Sequence, residues 1–353
     1  MPRPVIAELL RLTPNPDNLD HLADYLGDHR DELLATTVRA RAVVGPRVDL
    51  APDLAADLEP DIAHRQEDLV DLGARALRTL RESGPDAEIS DEEALGLEAI
   101  VNLALRPALL MRKGEFEPPE VTWRVLETFR DSIRDASSRV GRIQLANPGF
   151  GAPPYLGTGF LVGDGVIMTN GHVARAMRMP DGSYPPGRAT LDFTDNPDAG
   201  GSTRVDIVEM IGVHPGYPPR PDLALFRADV ATPPFVVRSV PPEPLTGRVV
   251  YVMGYPARDD RNEADAMRRV FADIYNVKRL QPGGVMSYDH GNRTFRHDCS
   301  TLGGNSGSCV VDLESNQVLG LHFGGIYLKH NEAVALWALR DDPLLVGAGV
   351  EFD

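Results

Sequence analysis

The sequence feature that most constrains this chain is the hexapeptide GGNSGS at residues 303–308. Glycines and small polar residues favour a tight turn, in which several backbone N–H groups can point at one spot. Ser306 is a candidate nucleophile, because the oxyanion formed when a serine attacks a carbonyl needs preorganised donors. The N–H groups of Gly304 and Ser306 would be those donors. A surface turn between two strands is the alternative interpretation of this motif by itself.

Two further segments supply the groups that a nucleophilic serine requires. His172 follows VIMTN, the second half of a predicted β-hairpin, and Asp222 precedes the apolar run LALF. A serine is activated by a base, and the base is held by an acid. The three residues occur in the order His, Asp, Ser, separated by 50 and 84 residues. The other candidate acids, which do not directly precede an apolar strand, are Asp192, Asp195 and Asp206.

Taken together, these segments resemble the trypsin-like serine peptidases of the chymotrypsin fold, in their bacterial branch. The matching motifs are TNGHV, PDLALF, GGNSGS and GLHFGG, and they are similar to those of the glutamyl endopeptidase-like group. The resemblance covers about residues 139–345 and implies peptide-bond hydrolysis by His172, Asp222 and Ser306. It implies no metal and no organic cofactor. Cys309 departs from the family pattern, which usually has proline at this position.

The resemblance also implies a primary specificity pocket around Ser300, Thr301, His322 and Gly324. Ser300 stands where family members specific for Lys and Arg carry aspartate, which disfavours a basic residue before the scissile bond. Thr301 and His322 coincide with the two residues that bind the substrate carboxylate in glutamyl endopeptidases. The sequence therefore leaves two preferences open. One is for glutamate; the other is for small or apolar residues, with His322 packed in the pocket wall.

Asn305 immediately precedes the candidate nucleophile. In the digestive relatives an aspartate at this position pairs with a newly cut N-terminus and shapes the oxyanion hole. An uncharged amide does not attract an ammonium group, so we do not expect activation by a cut at the start of the β region. We expect control to come from the N-terminal region instead.

Composition and charge restrict the partners and the compartment. The 353 residues are 42% hydrophobic and 25% charged, with a net charge of −16. Such an excess of acidic residues argues against nucleic acid or an anionic membrane as the main partner. Only two cysteines are present, Cys299 and Cys309, which favours a reducing compartment and buried thiols, although the two could pair. The sequence has no signal-peptide pattern and no run of 18 apolar residues, and it predicts a cytoplasmic protein.

Residues 1–114 carry apolar residues at spacings of three and four, interrupted by prolines, and predict an all-α domain. Ser90 and Glu93 are spaced as a capping box. Residues 1–140 contain 17 Lys and Arg against 28 Asp and Glu, so most of the negative charge lies here. We expect residues 1–114 to be an interaction or regulatory domain for a protein partner, recruiting or gating a peptidase of a bacterial defence or signalling system.

The remaining chain predicts a linker with a flanking amphipathic helix over 115–138 and an all-β domain over 139–353. About a dozen short β-like runs separated by Gly and Pro favour two small antiparallel barrels. His172 and Asp222 would lie in the first barrel and Ser306 in the second. The segment 343–350 is not assigned. The other histidines of this domain, which are expected to be surface or packing residues, are His214, His290, His297 and His330.

Two alternatives to a peptidase use the same fold. One is a catalytically silent protease-fold binding module, against which the intact candidate triad and oxyanion loop argue. The other is an esterase, which would use the same three residues on a different substrate and stays open at this point.

Overall fold

The computed structural model describes residues 72–84, 87–90, 93, 107–119, 121–148, 155–194, 203–214, 216, 221–258, 270–271, 274–326 and 330–353. The chain divides into two compact units. The first comprises Met1–Pro107, Pro119–Arg124 and Asp260–Asp273; the second comprises Ala108–Pro118, Val125–Asp259 and Ile274–Asp353. Most of the helices predicted within residues 1–114 lie outside the described residues.

One helix of the first unit is described, α1 at residues 72–83. Ala76, Leu77 and Leu80 are buried on it, as expected for apolar residues spaced along one helical face. The predicted capping box is confirmed further along. The Ser90 N–H donates to Glu93 Oε2 at 2.8 Å, and the Glu93 N–H donates to Ser90 Oγ at 3.1 Å.

The second unit contains the β structure. Its described strands are β1 (Leu109–Arg112), β2 (Glu115–Phe116), β3 (Val140–Leu145), β4 (Gly157–Gly163), β5 (Val166–Thr169), β6 (Ala189–Asp192), β7 (Arg204–Val213), β8 (Ala224–Ala228), β9 (Val249–Gly254), β10 (Arg279–Asp289), β11 (Thr294–His297), β12 (Cys309–Asp312), β13 (Val318–Ile326) and β14 (His330–Ala335). The α-helices here are α2 (Arg130–Ser137), α3 (Gly171–Met177) and α4 (Pro343–Ala348), and the 3-10 helices are Val121–Phe129 and Leu336–Leu339.

The first barrel closes in the order β3-β4-β5-β8-β7-β6, with antiparallel pairing throughout. Alternate residues of its strands point inward, so that Ile143, Leu161, Ile167, Leu191 and Phe226 form one buried cluster. The predicted strands of this barrel, which the sequence indicated as short β-like runs separated by Gly and Pro, are confirmed.

The second barrel runs in the order β11-β14-β13-β12-β9-β10 and closes because β10 pairs back to β11. β10 can do both because it is 11 residues long. Its first half pairs with β9 and, after a bulge between Val285 and Ser287, its second half pairs with β11. Two strands predicted separately, over 276–280 and 283–288, are therefore largely one strand. The predicted two-barrel fold is confirmed.

β1 extends this sheet where the sequence pattern predicted helix, and β2 extends it within the predicted linker. Leu109 and Leu110 pair with the first residues of β10, and the Arg279 guanidinium donates to the Ala108 carbonyl oxygen at 2.7 Å. The prediction of helix up to residue 114 is therefore wrong over 109–112. Apolar runs this short fit a helix or a strand equally well, and here a strand 170 residues along the chain decides between them.

The flanking helix predicted after residue 121 is confirmed, with a 3-10 first half and α2 as its second half. Ile133 and Ala136 on α2 are buried. The Lys278 ammonium group, itself buried, donates to the Ser137 carbonyl oxygen at 2.8 Å at the C-terminal end of α2. The unassigned segment after residue 342 forms α4.

Both cysteines are buried free thiols, so the pairing that the sequence left open is not present. Burial raises the pKa of Cys309 to about 12. No helix among the described residues is long and apolar enough to span a bilayer.

A fully buried carboxylate on β12 gives a test of this fold. Asp312 accepts two bonds from Arg248, at 2.5 and 3.0 Å, and two from Ser315. Burial alone would raise the pKa of Asp312, but the bonds from Arg248 and Ser315 outweigh it and hold the pKa below its ordinary value. A lowered pKa stabilises the folded state above the pKa of the unfolded chain, and this stabilisation disappears as the pH falls through the folded pKa.

We therefore expect Asp312→Asn to lower the free energy of unfolding at pH 7 by about 3 kcal/mol, since it leaves a charged guanidinium without its buried partner. The loss of stability between pH 5 and pH 3 should also be smaller in the variant than in the wild type. Urea unfolding at both pH values measures this. Asp341→Asn, at a side chain that is 90% exposed, is the control. Equal stability of Asp312→Asn and wild type at pH 7 would contradict the prediction.

Candidate active site

His172 and Asp222 are in direct contact. The backbone N–H of His172, in the first turn of α3, donates to Asp222 Oδ1 at 3.0 Å, and its ring Nδ1 lies 2.5 Å from Asp222 Oδ2. A carboxylate only accepts hydrogen bonds, so the proton of the neutral ring is on Nδ1 and Nε2 is left as an acceptor. The imidazole is 40% exposed and the carboxylate 17% exposed. This is the arrangement of a general base held by an acid.

The backbone around this pair allows the close approach. A Cβ on Gly171 would lie 2.7 Å from the His214 carbonyl oxygen and 2.9 Å from Asp222 Oδ1, so this position requires glycine. Asn170 Nδ2 donates to the Asp222 carbonyl oxygen at 2.9 Å and ties β5 to the segment before β8. The start of α3 and the start of β8 are thereby held side by side.

The loop that carries Ser306 has a fixed Gly303–Gly304 peptide group. The Gly303 carbonyl oxygen accepts a hydrogen bond from the Ala257 N–H at 2.6 Å. In a trans peptide the N–H points opposite to the carbonyl, so the Gly304 N–H is directed away from Ala257. Gly304 has φ +90°, and a Cβ there would lie 2.5 Å from the Tyr255 carbonyl oxygen.

The peptide group before Ser306 is fixed in the same manner. The Asn305 carbonyl oxygen accepts from the Ser308 N–H at 2.9 Å, which directs the Ser306 N–H the other way. Within the described part of the chain, neither the Gly304 N–H nor the Ser306 N–H donates a hydrogen bond. These two groups are therefore available to an oxyanion without rearrangement of the loop. No charged partner at Asn305 is needed to form them.

Ser306 lies against the first barrel. Its carbonyl oxygen accepts from the Thr158 N–H at 2.8 Å, and a Cβ on Gly157 would be 2.8 Å from both this oxygen and Val173 Cγ2, one residue beyond His172. The structure thus brings the nucleophile loop next to the start of α3. Ser306 Oγ makes no hydrogen bond to His172 or to another residue that the structure describes, and such bonds commonly form only when substrate binds.

The predicted specificity residues lie on the second barrel beside this loop. The Thr301 hydroxyl donates to Asn331 Oδ1 at 2.7 Å, and Asn331 Nδ2 donates to the Cys299 carbonyl oxygen at 2.6 Å. Ser300 is half-buried. A Cβ on Gly324 would meet no atom within 4 Å, so the space over this residue is open. The wall near Thr301 is polar.

His322 is buried, and its Nδ1 lies 3.2 Å from Nε2 of His297, which is also buried. Burial, with a smaller contribution from the nearby His172, lowers the pKa of His322 to about 3. The imidazole is therefore neutral at physiological pH, when it recognises a partner by a hydrogen bond and not by charge.

A cleft of about 590 Å³ extends from His172 and Asp222 along the second barrel. Polar and charged side chains predominate in its wall, among them Tyr288, Arg296 and Glu332. Among the residues that the structure describes, no three His, Cys, Asp or Glu side chains cluster as metal ligands.

Several contacts escaped the sequence analysis. His297 was expected to be a surface or packing residue, but it bonds His322, and Asn331 was not singled out at all. Both lie on strands with weak alternation, and no local pattern links them to residues 301 or 322. His214 bonds Asp342 at 3.1 Å through Nε2, next to the segment that carries Asp222.

The rival acids serve other purposes or lie outside the described residues. Asp192 is buried, and its Oδ2 lies 3.2 Å from Nη2 of Arg142 and 3.0 Å from Nε of Arg204. Asp206 lies on β7, where it is the cross-strand partner of Thr190 on β6. Asp195 is outside the described residues. Among the described candidates, only Asp222 contacts His172.

The positive φ of Gly304 and the close contacts of a Cβ there predict that a single methyl group displaces the Gly304 N–H. We expect Gly304→Ala to lower the rate of reaction with a fluorophosphonate by about a hundredfold, because the loss of one oxyanion donor has an effect of that order. Gly182→Ala is the matched control. Gly182 has φ +84°, close to that of Gly304, but a Cβ there meets nothing within 4 Å. Equal reaction rates of the two variants would contradict the prediction.

Comparisons with known proteins agree with this geometry. The family model of the trypsin-like peptidase domain matches residues 157–321. A probable serine protease from Lysobacter enzymogenes is 30% identical over 317 residues, which cover 74% of this chain and 78% of that protein. A glutamyl endopeptidase from Staphylococcus epidermidis is 27% identical over 186 residues, 50% of this chain and 57% of that protein.

Among solved structures, the serine endoprotease from Yersinia pestis aligns with 63% of this chain and 68% of its own, at 18% identity and a TM-score of 0.43. The family predicted from the four motifs is confirmed by the family model and by the Lysobacter relative. The chain belongs to the trypsin-like serine peptidases and is a serine endopeptidase.

Proposed function

We propose that this endopeptidase works through His172, Asp222 and Ser306, with the N–H groups of Gly304 and Ser306 as the oxyanion hole. The observation that carries the proposal is the pair of N–H groups, of Gly304 and Ser306, that donate to no described residue, in the same molecule as an imidazole whose Nδ1 is held by a carboxylate. A base, a nucleophile and an anion site are the three elements that acyl transfer needs.

In the first half of the reaction, His172 Nε2 takes the proton of Ser306 Oγ as this oxygen bonds to the scissile carbonyl carbon. The negative charge moves to the carbonyl oxygen and is bound by the two N–H groups. The imidazolium is stabilised by Asp222 and gives its proton to the leaving amine, which leaves an acyl-enzyme. Water, deprotonated by His172, then releases the acid and restores Ser306.

The open edge of β13 supports an extended peptide as the substrate. β12 pairs with β13 up to Leu321, and His322 is bonded to Gly307 and Ser308 in the loop before β12. Beyond His322 the described residues of β13 pair with β14 alone. The free edge can bind a substrate strand by backbone hydrogen bonds, which positions a peptide bond inside a longer chain. This feature favours a peptidase over an esterase, which needs no such strand.

We further propose that the residue before the scissile bond is acidic, with glutamate preferred. Ser300 provides no carboxylate for a basic side chain. An apolar side chain would leave the polar groups of Thr301, Asn331 and His322 without a partner from the substrate, which is costly. Relatives named glutamyl endopeptidase match half of the chain. Recognition by neutral donors follows from the lowered pKa of His322.

The N-terminal region is the candidate for control of this site. The region is strongly acidic, and the oxyanion donors stand free without a cut N-terminus, so regulation has to act by another route. We propose that residues before 108 bind a protein partner that recruits or gates the peptidase in a bacterial defence or signalling system. Loss of partner capture after charge reversal in this region would support it.

The catalytic assignment predicts the behaviour of three variants. Ser306→Ala should lose fluorophosphonate labelling and peptide cleavage completely, and Asp222→Asn should slow cleavage by about 10⁴-fold, because the imidazole then adopts the wrong tautomer. His172→Ala should be at least as slow. Ser183→Ala, at an exposed serine, should label like wild type. Labelling that persists in Ser306→Ala would overturn the assignment. A wild type that reacts with no fluorophosphonate would indicate a binding module.

The specificity proposal predicts a preference that does not depend on pH. Quenched peptides that differ only in glutamate or leucine before the scissile bond should differ in kcat/KM by about tenfold or more, since a hydrogen bond to a charged group contributes about 1.5 kcal/mol. The Thr301 hydroxyl proton is donated to Asn331 Oδ1, so Thr301 acts on the substrate carboxylate by orienting the Asn331 amide. Thr301→Val should therefore reduce this ratio and Thr301→Ser should restore it. Because the lowered pKa keeps His322 neutral, the ratio should be the same at pH 6 and pH 8. A fall in the ratio over that range would contradict neutral recognition.

A further inference from the structure

Thr158, near the start of β4, is hydrogen-bonded to the loop that carries Ser306, and no sequence motif indicated these bonds. It is fully buried, and its N–H donates to the Ser306 carbonyl oxygen at 2.8 Å. Its hydroxyl donates to the Gly304 carbonyl oxygen at 2.9 Å and accepts from the Tyr255 N–H at 3.2 Å. Because the Tyr255 N–H can only donate, the hydroxyl proton is directed to Gly304.

We propose that Thr158 is a positioning residue, whose hydroxyl holds the Gly304 N–H in its catalytic orientation. Gly304 has the widest conformational freedom in the loop, because a glycine rotates readily about both backbone torsions. The peptide group before it is fixed by Ala257 and the one after it by Thr158. With both planes fixed, φ and ψ of Gly304 are fixed as well, and its N–H keeps one direction. This inference rests on the proposed oxyanion site.

The position of Thr158 in the fold adds a second consequence. Thr158 belongs to the first barrel, whereas Gly304, Ser306 and Tyr255 belong to the second. Its carbonyl oxygen accepts from the Thr169 hydroxyl at 2.7 Å, at the end of β5 and three residues before His172. One residue is thus bonded both to the segment leading to the base and to the loop with the anion donors. Thr158 therefore fixes the distance between the two halves of the site.

The loss of the hydroxyl alone can be produced without a change of shape. Thr158→Val replaces it with a methyl group and leaves the Gly304 carbonyl oxygen and the Tyr255 N–H without their partner, while Thr158→Ser keeps the hydroxyl. Thr190→Val is the matched control. Thr190 is also a buried threonine of the first barrel, but its hydroxyl has no hydrogen-bond partner among the residues that the structure describes.

The experiment measures kcat and KM for a peptide substrate of the full chain, and the affinity of a peptide boronic acid, whose adduct with serine is tetrahedral and anionic. We expect Thr158→Val to lower kcat by about tenfold with KM within a factor of two, and to weaken the boronic acid by a similar factor. Thr158→Ser should restore both to within about threefold. Thr190→Val should match wild type in both.

Two kinetic results would overturn the proposal. One is a kcat of Thr158→Val equal to wild type at a temperature at which the variant is folded. The other is an increase of KM alone. A third measurement does not need turnover: hydrogen exchange of the loop at 302–308 should be faster in Thr158→Val than in Thr158→Ser. If wild type lacks turnover and boronic acid binding, the proposed function fails. Equal exchange in the two variants means instead that the positioning role fails.

Discussion

Four consecutive carbonyl groups, those of Gly303 to Ser306, are each bonded, and the rest of the site depends on this. Ala257, Thr158 and Ser308 supply the four donors. A buried backbone group without a partner is costly, and here each of these four carbonyl groups is bonded while the N–H groups of Gly304 and Ser306 donate to no described residue. The carbonyl groups of the turn are therefore held in place, while the N–H groups of Gly304 and Ser306 can still donate. The two barrels provide the donors from opposite sides, which explains why a site of this kind sits where two barrels meet.

The polarity of the specificity pocket has a separate physical origin. His322 and His297 form a buried pair of imidazoles in which one must donate and the other accept, and burial keeps His322 neutral. Thr301 and Asn331 form a second bonded pair, which ends on the Cys299 carbonyl oxygen. These bonds use the inner polar atoms of the pocket and leave its outer ones to a ligand. A network of this kind fixes side-chain directions as well as chemistry.

The sequence predicted those parts of the molecule that are written locally. The strands of the first barrel followed from short apolar runs between glycines and prolines, and the turn at Ser306 followed from its glycines. The contact of His172 with Asp222 followed from their positions at strand ends. β1, β11 and the roles of His297 and Asn331 did not follow, because each depends on a partner that is distant in the chain. The apolar run at 109–112 has no property that separates helix from strand until β10 is present beside it. The hydroxyl of Thr158 belongs to the same class: its motif indicated a strand, and only the fold brings Gly304 to it.

The two short strands before the first barrel change what the N-terminal region is attached to. β1 is hydrogen-bonded to β10 and anchored by Arg279 at Ala108, so the chain enters the catalytic unit in the sheet of the second barrel. A protease nick between residues 118 and 125 would cut the covalent link but leave the preceding segment bound by its strand. Residue 108 is therefore the point at which the preceding chain joins the sheet that contains β10. The N-terminal region is thus connected to the barrel that carries the nucleophile, although it precedes the other one in the chain.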